Sequence, residues 1–475
     1  MPAEIVKTVG PGGGFNYLDL NAWVLGERRN LIAADEVAVA ECYGGGNVGL
    51  NGTQINMSAG GVFQTDATRN IIIRAAAGEE HEGTGTFDTS KAYMEGLALP
   101  NNQNCLAYST ALHVTIEGMQ FRTRQLNSGG GSVHCFSALA GTLQAFRRCL
   151  CVSTVGPSVT AASPIEGSGL LVQGVIADSL VENCIFMLDY ESNISHGGQV
   201  VFYQNAATAL THTFRNNTVI STNSGGGSGS QVALVTRNGD TLDSNNNIYI
   251  CPTRGVDSYE GILGGTLTKG ANDITSDAVA ITAGLRSYAY NTDNFVSVTL
   301  GTEDLTPTEE AAATDAGATI GAVTTDIRNL ARPQGAAYDI GAVERAQTAE
   351  ESMGETQKVL QRYAFKTGEL NDGNEGDVLF TFPRLKGSSL SVTIDSTLTA
   401  GGGGFTTVVV DVEYSIDDGV TWLATTDTIS ASTTGEVTVT AISAVKGIYA
   451  RVIARTLTVS GGTPTLQLDA EIRVI

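Results

Sequence analysis

Proline, tryptophan, basic side chains and long apolar runs are all scarce in this chain of 475 residues. Lysine and arginine number 27 against 49 aspartates and glutamates, a net charge of −22. A surface this negative repels phosphate backbones and anionic lipids, so we expect neither nucleic acid nor a membrane as partner. No apolar run reaches the ~18 to 20 residues of a membrane-spanning helix, and the opening residues lack the apolar core of a signal peptide. The sequence therefore predicts a product that is made and assembled in the cytoplasm.

Paired cysteine motifs are absent as well. The seven cysteines are odd in number, lie within apolar runs and form no Cys-x-x-Cys or Cys/His pattern, which argues against a zinc site and a disulfide framework. We expect them to be reduced core residues, because unpaired cysteine is among the most buried residue types. The sequence also has no nucleophile elbow and no phosphate-binding loop leading into a helix. It predicts neither a cofactor nor a metal.

One charged stretch, GEEHEG (78–83), was weighed as a cation site. It carries Glu79, Glu80, His81 and Glu82. Consecutive side chains point in different directions, and the spacing matches no EF-hand or His-Glu-x-x-His motif. We expect a solvated run of charges here.

Glycine is abundant, with 57 residues against 10 prolines. The glycines cluster between short runs rich in Val, Ile, Thr and Phe, which is typical of strands joined by turns. Similar apolar segments begin at residues 116, 146, 181, 214 and 242, and a second family of apolar runs lies between them. No helical periodicity and no propeller signature accompanies this repeat. The pattern favours a coil of parallel strands in which each turn stacks on the previous one.

This repeat places equivalent residues of successive turns beside each other. The inward position holds Cys149 and Cys184. We expect asparagines such as Asn217 at the corners, because asparagine tolerates a left-handed φ and can bond the asparagine of the next turn. The outward position next to the core is predicted to form a ladder of alternating charge made of Glu117, Arg147, Glu182, Arg215 and Asp243.

The open end of such a stack is a sheet edge and must be covered. Residues 16–36 put Leu18, Leu20, Trp23, Val24 and Leu31 largely on one side of a helical pattern. We expect this segment to form an N-terminal capping helix.

Two stretches carry a resemblance to a known family. Residues 315–344, DAGATIGAVTTDIRNLARPQGAAYDIGAVE, resemble the terminal phrase of right-handed parallel β-helix proteins of the pectate-lyase-like superfamily. Residues 30–43, NLIAADEVAVAECY, are similar to the start of the coil in phage and prophage virion proteins of that kind. The resemblance implies that the phrase closes the coil. Arg332 and Asp339 would bond backbone or each other, and Tyr338 or Ile340 would cover the core.

The fold prediction is all-β: a right-handed parallel β-helix with an N-terminal capping helix, followed by a C-terminal β-sandwich. The predicted boundaries are 1–36 for the arm and capping helix, 37–344 for the β-helix, 345–358 for a linker and 359–475 for the sandwich. The last region alternates like about seven strands with glycine-rich turns.

Within the predicted sandwich, SIDDGVTW resembles the Asp-box hairpin of sialidases. Ser415 opens the motif, Asp417 would bond turn amides, Gly419 would supply a positive φ, and Trp422 would pack under the loop. In the families that share it the box is structural, so we expect a hairpin brace.

A sugar site would require two carboxyl groups facing each other along a groove. The best local cluster is MLDYESNISHGG (187–198), where Asp189 and Glu191 are the candidate catalytic carboxylates, Tyr190 the candidate stacking face and His196 a candidate binding residue. We favour a solvated loop instead, because acidic turns are common in so acidic a chain and the sequence has two tryptophans.

Three functions follow from these features. The first is a structural phage virion surface protein, such as a head decoration, fibre or spike, bound to other virion proteins and working as a homotrimer. Threefold packing would cover apolar outer residues such as Ile220, which neighbours the inward Val219 on one strand. The second is a tailspike depolymerase acting on a host surface glycan. The third, a cellular adhesin, would require a secretion signal or anchor.

Overall fold

The chain forms two compact units, Met1–Ala346 and Gln347–Ile475, in the computed structural model. The structure describes the following residues: 2–50, 54–58, 63–96, 104–125, 133–156, 167–190, 198–204, 210–222, 231–237, 240–250, 261–263, 266–269, 272–276, 285–299, 301–346, 359–366, 378–385, 389–399, 404–415, 423–430, 435–443, 448–460 and 465–474. Within these ranges no helix is long and apolar enough to cross a bilayer.

The first unit is a parallel β-helix of three sheets, which confirms the predicted coil. Sheet 1 contains β1 (Ala3–Val9), β2 (Glu36–Cys42), β4 (Ile71–Ala75), β7 (His113–Glu117), β10 (Thr142–Arg147), β13 (Leu180–Glu182), β16 (Thr211–Arg215), β19 (Thr241–Asn245) and β22 (Thr266–Lys269). Sheet 2 contains β5 (Tyr93–Gly96), β8 (Gln120–Gln125), β11 (Leu150–Val155), β14 (Ile185–Tyr190), β17 (Thr218–Thr222), β20 (Ile248–Ile250), β23 (Ile274–Thr275) and β24 (Arg286–Ser287). Sheet 3 contains β3 (Ile55–Asn56), β6 (Asn104–Tyr108), β9 (Val133–Ala138), β12 (Gly167–Gln173), β15 (Gly198–Gln204), β18 (Gln231–Arg237) and β21 (Gly261–Leu263).

Five successive turns of the coil pass from sheet 1 to sheet 2 through a two-residue corner. The first corner residue has a positive φ of 52° to 68° in five successive turns, at Gly118, Arg148, Asn183, Asn216 and Asn246. Asparagine and glycine adopt this left-handed conformation at lower cost than other residues. The predicted role of the corner asparagines is confirmed.

The second corner residue builds a ladder of hydrogen bonds inside the coil. The Cys149 amide donates to Cys184 Sγ at 3.5 Å, and the Cys184 amide donates to Asn217 Oδ1 at 2.9 Å. The Asn217 amide donates to Asn247 Oδ1 at 2.9 Å, and the Asn247 amide donates to Asp273 Oδ1 at 2.8 Å. Cys149 and Cys184 therefore occupy equivalent positions, as predicted, and each bond ties one turn to the next.

The interior is mainly apolar, with a few further buried polar side chains such as Thr123 and Ser153, whose hydroxyls lie 3.0 Å apart. Aromatic rings stack along it from turn to turn, with centroids 5.9 to 6.2 Å apart, in the order Phe121, Phe146, Phe186, Phe214 and Tyr249. Offset aromatic stacking adds to the stability that burial of the rings provides.

The thiols provide a first test of this packing. The six described cysteines are free and buried, and burial raises the pKa of the Cys42 and Cys184 thiols. Cys251 lies outside the described residues. We expect thiol titration of the unfolded, unreduced protein to count all seven, with no gain after reductant. A count of five would mean that a disulfide had formed, and Cys149 with Cys184 would be the first pair to examine.

The N-terminal segment covers the first turn with two short helices, α1 (Leu20–Glu27) and α2 (Leu31–Ala34). Asp19 caps α1 by accepting a hydrogen bond from the Ala22 amide at 2.7 Å. The side chains of Leu20, Trp23, Val24 and Leu31 join the core of the coil, which confirms the capping role. Leu18 was predicted on the buried side and is exposed, because it precedes the cap and lies off the helix.

The terminal phrase does not close the end of the coil, contrary to the sequence prediction. Ile327, Ile340, Ala342 and Val343 instead pack with the outward side chains of sheet 2, including Leu150, Ile185, Ile220, Ile248, Ile250 and Ile274. The Ala342 amide donates to Thr218 Oγ1 at 3.1 Å. The segment therefore lies along the flank of the coil, next to an antiparallel pair, β25 (Phe295–Ser297) and β26 (Asp304–Pro307).

This arrangement removes one reason for expecting threefold packing, namely that Ile220 would be exposed in a single chain. Val219 and Ile220 do lie on opposite faces of β17, as predicted. However, Ile220 is fully buried within the single chain, because the terminal segment covers it. Sheet 2 thus has a core on each face.

A buried ion pair fastens the terminal segment. Arg332 Nη1 donates to Asp339 O at 2.8 Å and to Glu344 Oε2 at 2.9 Å, and its Nη2 donates to Gly341 O at 2.8 Å. The Asp339 carboxylate accepts from the amides of Asp315 and Arg345 at 2.7 and 2.6 Å. Arg332 thus bonds the backbone of residue 339, while its charge partner is Glu344. Tyr338 is buried and donates to the carbonyl of residue 320.

The second unit contains two antiparallel four-stranded sheets. One has the order β27 (Val359–Lys366), β34 (Thr465–Val474), β29 (Ser389–Thr399) and β32 (Gly435–Ser443). The other has the order β28 (Val378–Leu385), β33 (Ile448–Ser460), β30 (Gly404–Ser415) and β31 (Leu423–Ser430). The β-sandwich itself stays a prediction.

Candidate functional site

The predicted charge ladder runs along the outer face of sheet 1. Arg147 is in register with Glu117 and Glu182, and Glu182 is in register with Arg215. Glu182 is almost fully buried and lies between two cations, 2.7 Å from Arg147 Nε and 2.8 Å from Arg215 Nη2. The register of these four residues is confirmed.

Two more members precede these four in the ladder, and one predicted member is wrong. Glu41 and Arg74 are in register with each other and with Glu117, and their side chains are 3.3 Å apart. Asp243 pairs with Thr213 instead of Arg215, and Asn245 takes the predicted place. The last repeat is therefore displaced by two residues from the sequence alignment.

Glu182 tests the energetic role of the ladder. We expect Glu182→Ala to lower the free energy of unfolding by about 1.5 to 3 kcal/mol, because it removes hydrogen bonds between charged groups and leaves two arginines unpaired. Asp243→Ala is the matched control, since this carboxylate lies beside the ladder and outside it, and we expect a change within about 0.5 kcal/mol. Denaturant unfolding of both variants measures the difference. Equal effects would show that the ion pairs of the ladder add no more stability than a carboxylate outside it.

A surface pocket of about 280 Å³ lies beside the first members of the ladder. Its floor is formed by Ala75 and Ala77, and its charged lining residues are Glu41, Arg74, Glu80, Glu117 and Arg148. The cations are already engaged, since Arg148 Nη2 lies 2.8 Å from Glu117 and Arg74 lies near Glu41. Three carboxylates and two guanidinium groups line the pocket, and because both cations are paired it offers no free cation to bind an anion.

Only part of the predicted sugar cluster lies within the described residues. Asp189 lies in β14 and is half-buried, and its Oδ1 accepts a hydrogen bond from Thr222 Oγ1 at 2.8 Å. Tyr190 ends the same strand, and its side chain is outside the described set. Glu191 and His196 lie outside the described residues. Their proposed roles stay predictions.

The structure brings a different set of groups to Asp189. Burial raises the pKa of Tyr290, and the nearby carboxylates of Glu303 and Asp189 raise it further. Glu303 is buried, and its Oε2 accepts from Thr86 Oγ1 at 3.1 Å and from the Gly301 amide at 2.9 Å. Two carboxylates therefore lie near one phenol, where the terminal segment meets sheet 2.

The charged loop at 78–83 is not the solvated run that the sequence predicted. His81 is buried, and its Nδ1 accepts from the Gly83 amide at 3.1 Å. Burial lowers the pKa of His81 to about 4, so the ring is neutral at pH 7. Glu79 accepts from the Gly44 amide, and Glu82 pairs with Lys91 at 3.1 Å. Among the residues in view, no group of three or more His, Cys, Asp or Glu could hold a metal ion.

The Asp-box motif falls mostly outside the described residues. Ser415 ends β30, and β30 pairs antiparallel with β31 through Tyr414 and Leu423. Asp417, Gly419 and Trp422 lie in the undescribed stretch between these strands. Their roles as a hairpin brace stay predictions.

Comparison with known proteins adds little beyond the fold. No family model matches this chain, and no curated protein matches it. Two solved structures are similar in outline. The tailspike protein of Acinetobacter phage vB_ApiP_P1 has 10% sequence identity and a TM-score of 0.22, and the match covers 98% of this chain and 87% of that chain. The enzymatically active domain of bacteriophage CBA120 tailspike protein 4 has 8% identity and a TM-score of 0.14, and the match covers 91% of this chain and 64% of that chain. At TM-scores this low, neither likeness bears on function.

Proposed function

We propose that this protein is a structural element of a phage virion surface, namely a head decoration, fibre or spike, bound to other virion proteins. The observation that carries the proposal is that polar groups link the successive turns of the coil. Outside, Glu182 links Arg147 to Arg215 across three turns, and inside, the ladder from Cys149 to Asp273 links each turn to the next. Bonds of this kind stiffen the coil, which suits a structural element more than a mobile one.

The virion assignment is supported further by resemblance and charge. The stretch 30–43 is similar to the start of the coil in phage and prophage virion proteins, and 315–344 resembles the terminal phrase of pectate-lyase-like β-helix proteins. A net charge of −22 would keep neighbouring projections soluble and apart. We further propose a homotrimer, because three linked copies multiply weak contacts to a lattice or to a host surface glycan.

Immunogold electron microscopy with an antibody to the purified chain tests the location. We expect gold on the particle surface in lysates of the source culture, and unlabelled particles in fractions that contain the chain would overturn the proposal. Light scattering tests the assembly. A mass near that of one chain would rule out the trimer without affecting the virion assignment.

The alternative is a tailspike depolymerase, and one observation favours it: Asp189 and Glu303 lie near Tyr290 on one side of the coil. An enzyme of this kind would release oligosaccharides from host surface glycan, and the loss of that release in Asp189→Ala, Glu191→Ala or Glu303→Gln would identify the carboxylates. We expect no release from the parent protein.

A further inference from the structure

The first strand of the coil has one free edge. β1 pairs with β2 in parallel over seven residues, and the Ala3 amide donates to Asp35 O while Val9 O accepts from the Tyr43 amide. Backbone groups alternate in direction along a strand, so the odd-numbered residues of β1 face β2. The amides and carbonyls of Glu4, Val6 and Thr8 therefore point away from it.

Part of this edge is already covered. The Thr8 amide donates to Asn16 Oδ1 at 3.0 Å, and Thr8 O accepts from the Tyr17 amide at 3.1 Å. The backbone groups of Glu4 and Val6 meet no partner within the part of the chain that the structure describes. The open edge thus runs from Glu4 to Val6, at the outermost strand of a nine-stranded sheet.

Exposed apolar side chains concentrate in the same part of the chain. Six large apolar residues are exposed among the described residues, and four of them lie in the first 32: Val6 at 40%, Leu18 at 62%, Leu25 at 56% and Ile32 at 42%. Val6 belongs to the open edge itself. An exposed apolar side chain beside unpaired backbone, as at Val6, is typical of a contact surface.

We propose that the Glu4–Val6 edge of β1 accepts an extended segment of another polypeptide, which adds to sheet 1 as a further strand. Donors and acceptors spaced along an extended backbone are matched by another extended backbone. The segment would place an apolar side chain beside Val6 and no acidic residue opposite Glu4, because like charges in that position repel. That the segment belongs to a virion protein rests on the proposed function.

A single extended segment fits this edge better than a second coil. α1 packs on β1, β2 and β3 and fills the opening of the first turn with Leu20, Trp23 and Val24. Two coils paired edge to edge would bring two α1 helices over the same opening, whereas helix axes require about 8 to 10 Å between them and strands only about 4.8 Å. An extended segment needs only the edge.

A tethered strand tests the edge without any virion component. Lys-Val-Thr-Val-Lys, joined to the N-terminus of the full chain through a flexible linker of about eight glycine and serine residues, reaches a millimolar effective concentration at β1. We expect hydrogen exchange of the Glu4 and Val6 amides to slow at least about 10-fold relative to the unfused chain. No slowing at either amide would overturn the proposal.

Val6→Pro and Val6→Thr are the matched variants. Proline removes an N–H that points away from β2, so the β1–β2 ladder stays intact, and threonine keeps the N–H and a β-branched side chain. We expect the fused strand to protect Glu4 in the threonine variant and to lose most of that protection in the proline variant. The Ile5 amide, which faces β2, reports in both whether β1 remains folded.

Particle assembly separates this inference from the proposed function. If gold labelling finds the chain on particles, we expect the proline variant to be incorporated at least about 10-fold less than the threonine variant. Equal incorporation would overturn the docking edge and leave the function standing. Protection by the tethered strand, with no chain found on any particle, would support the docking edge and overturn the proposed function. An end-to-end dimer of the parent chain that Val6→Pro abolishes would assign the edge to a second copy and overturn the proposal.

Discussion

At pH 5 the first unit is expected to be about 4 kcal/mol less stable than at pH 7.5, because two buried histidines must stay neutral in the folded coil. Burial lowers the pKa of His81 to about 4 and that of His134 to about 3. In the unfolded chain both rings take up a proton near pH 6.5. The unfolded state therefore binds more protons below that pH, and each ring costs about 2 kcal/mol of stability by pH 5.

The hydrogen bonds of the rings give the structural reason for this shift. His81 Nδ1 accepts from the Gly83 amide, so protonation at that nitrogen would set one donor against another. His212 Nδ1 faces the Ser179 amide at 3.3 Å in the same way, and burial lowers the pKa of His212 to about 4. The carboxylate of Asp178 opposes this shift, and His212 acts in the same direction as His81 and His134.

Denaturant midpoints at pH 7.5, 6 and 5 measure the slope. His81→Asn keeps an acceptor near the position of Nδ1 and removes the titration, so it should flatten the curve by about 2 kcal/mol. His113→Asn is the comparison: this ring is only partly buried, burial lowers its pKa as well, and we expect a smaller flattening than with His81→Asn. Burial raises the pKa of Asp339 and Glu344, which acts in the opposite direction as pH falls and limits the total. A curve that is flat from pH 7.5 to 5 would contradict the prediction.

The repeat could be predicted from the sequence wherever the inward column is apolar. Phe146, Val181 and Phe214 align correctly because each fills the same interior position. The alignment fails at the next turn, where Ser244 takes that position and bonds Tyr249 and Asp273. A buried polar network replaces the apolar side chain there, so apolar spacing gives the wrong register. Aligning the corner asparagines of the last two turns would have given the right one.

The flank of the coil was harder to predict. Sheet 2 strands such as β14 and β20 are apolar on both faces, and continuous apolar runs indicate burial on both sides. The apolar runs indicate that another segment packs on the outer face of sheet 2, but they do not identify that segment. Glu303 lies between β25 and β26 and comes near Asp189 because this antiparallel pair also packs on the flank of sheet 2. No local spacing connects two residues so far apart in sequence.

Loss of Arg332 is expected to release the terminal segment from that flank. Arg332→Met removes three hydrogen bonds and leaves the Glu344 carboxylate buried without its cation, and breaking a buried pair in this way costs about 3 to 5 kcal/mol. The apolar strip under the segment, which includes Ile220 and Ile248, would then open to water. We expect the amides of Ile340 and Gly341 to exchange at least about 100-fold faster, with increased binding of an apolar dye.

Two further variants show whether the ion pair or the side-chain volume is responsible. Arg286 is exposed and, among the described residues, donates to the carbonyls of Ala312 and Ala316 around the start of the terminal segment. Arg286→Met therefore removes an arginine bonded there on the solvent side, and we expect it to lower the free energy of unfolding by less than about 1 kcal/mol. Adding Glu344→Gln to Arg332→Met removes the stranded charge and should restore part of the lost stability, because the penalty lies in the unpaired carboxylate. If Arg332→Met and Arg286→Met had equal effects on exchange at Ile340, the buried pair would not be what holds the segment, and its apolar contacts with sheet 2 would suffice.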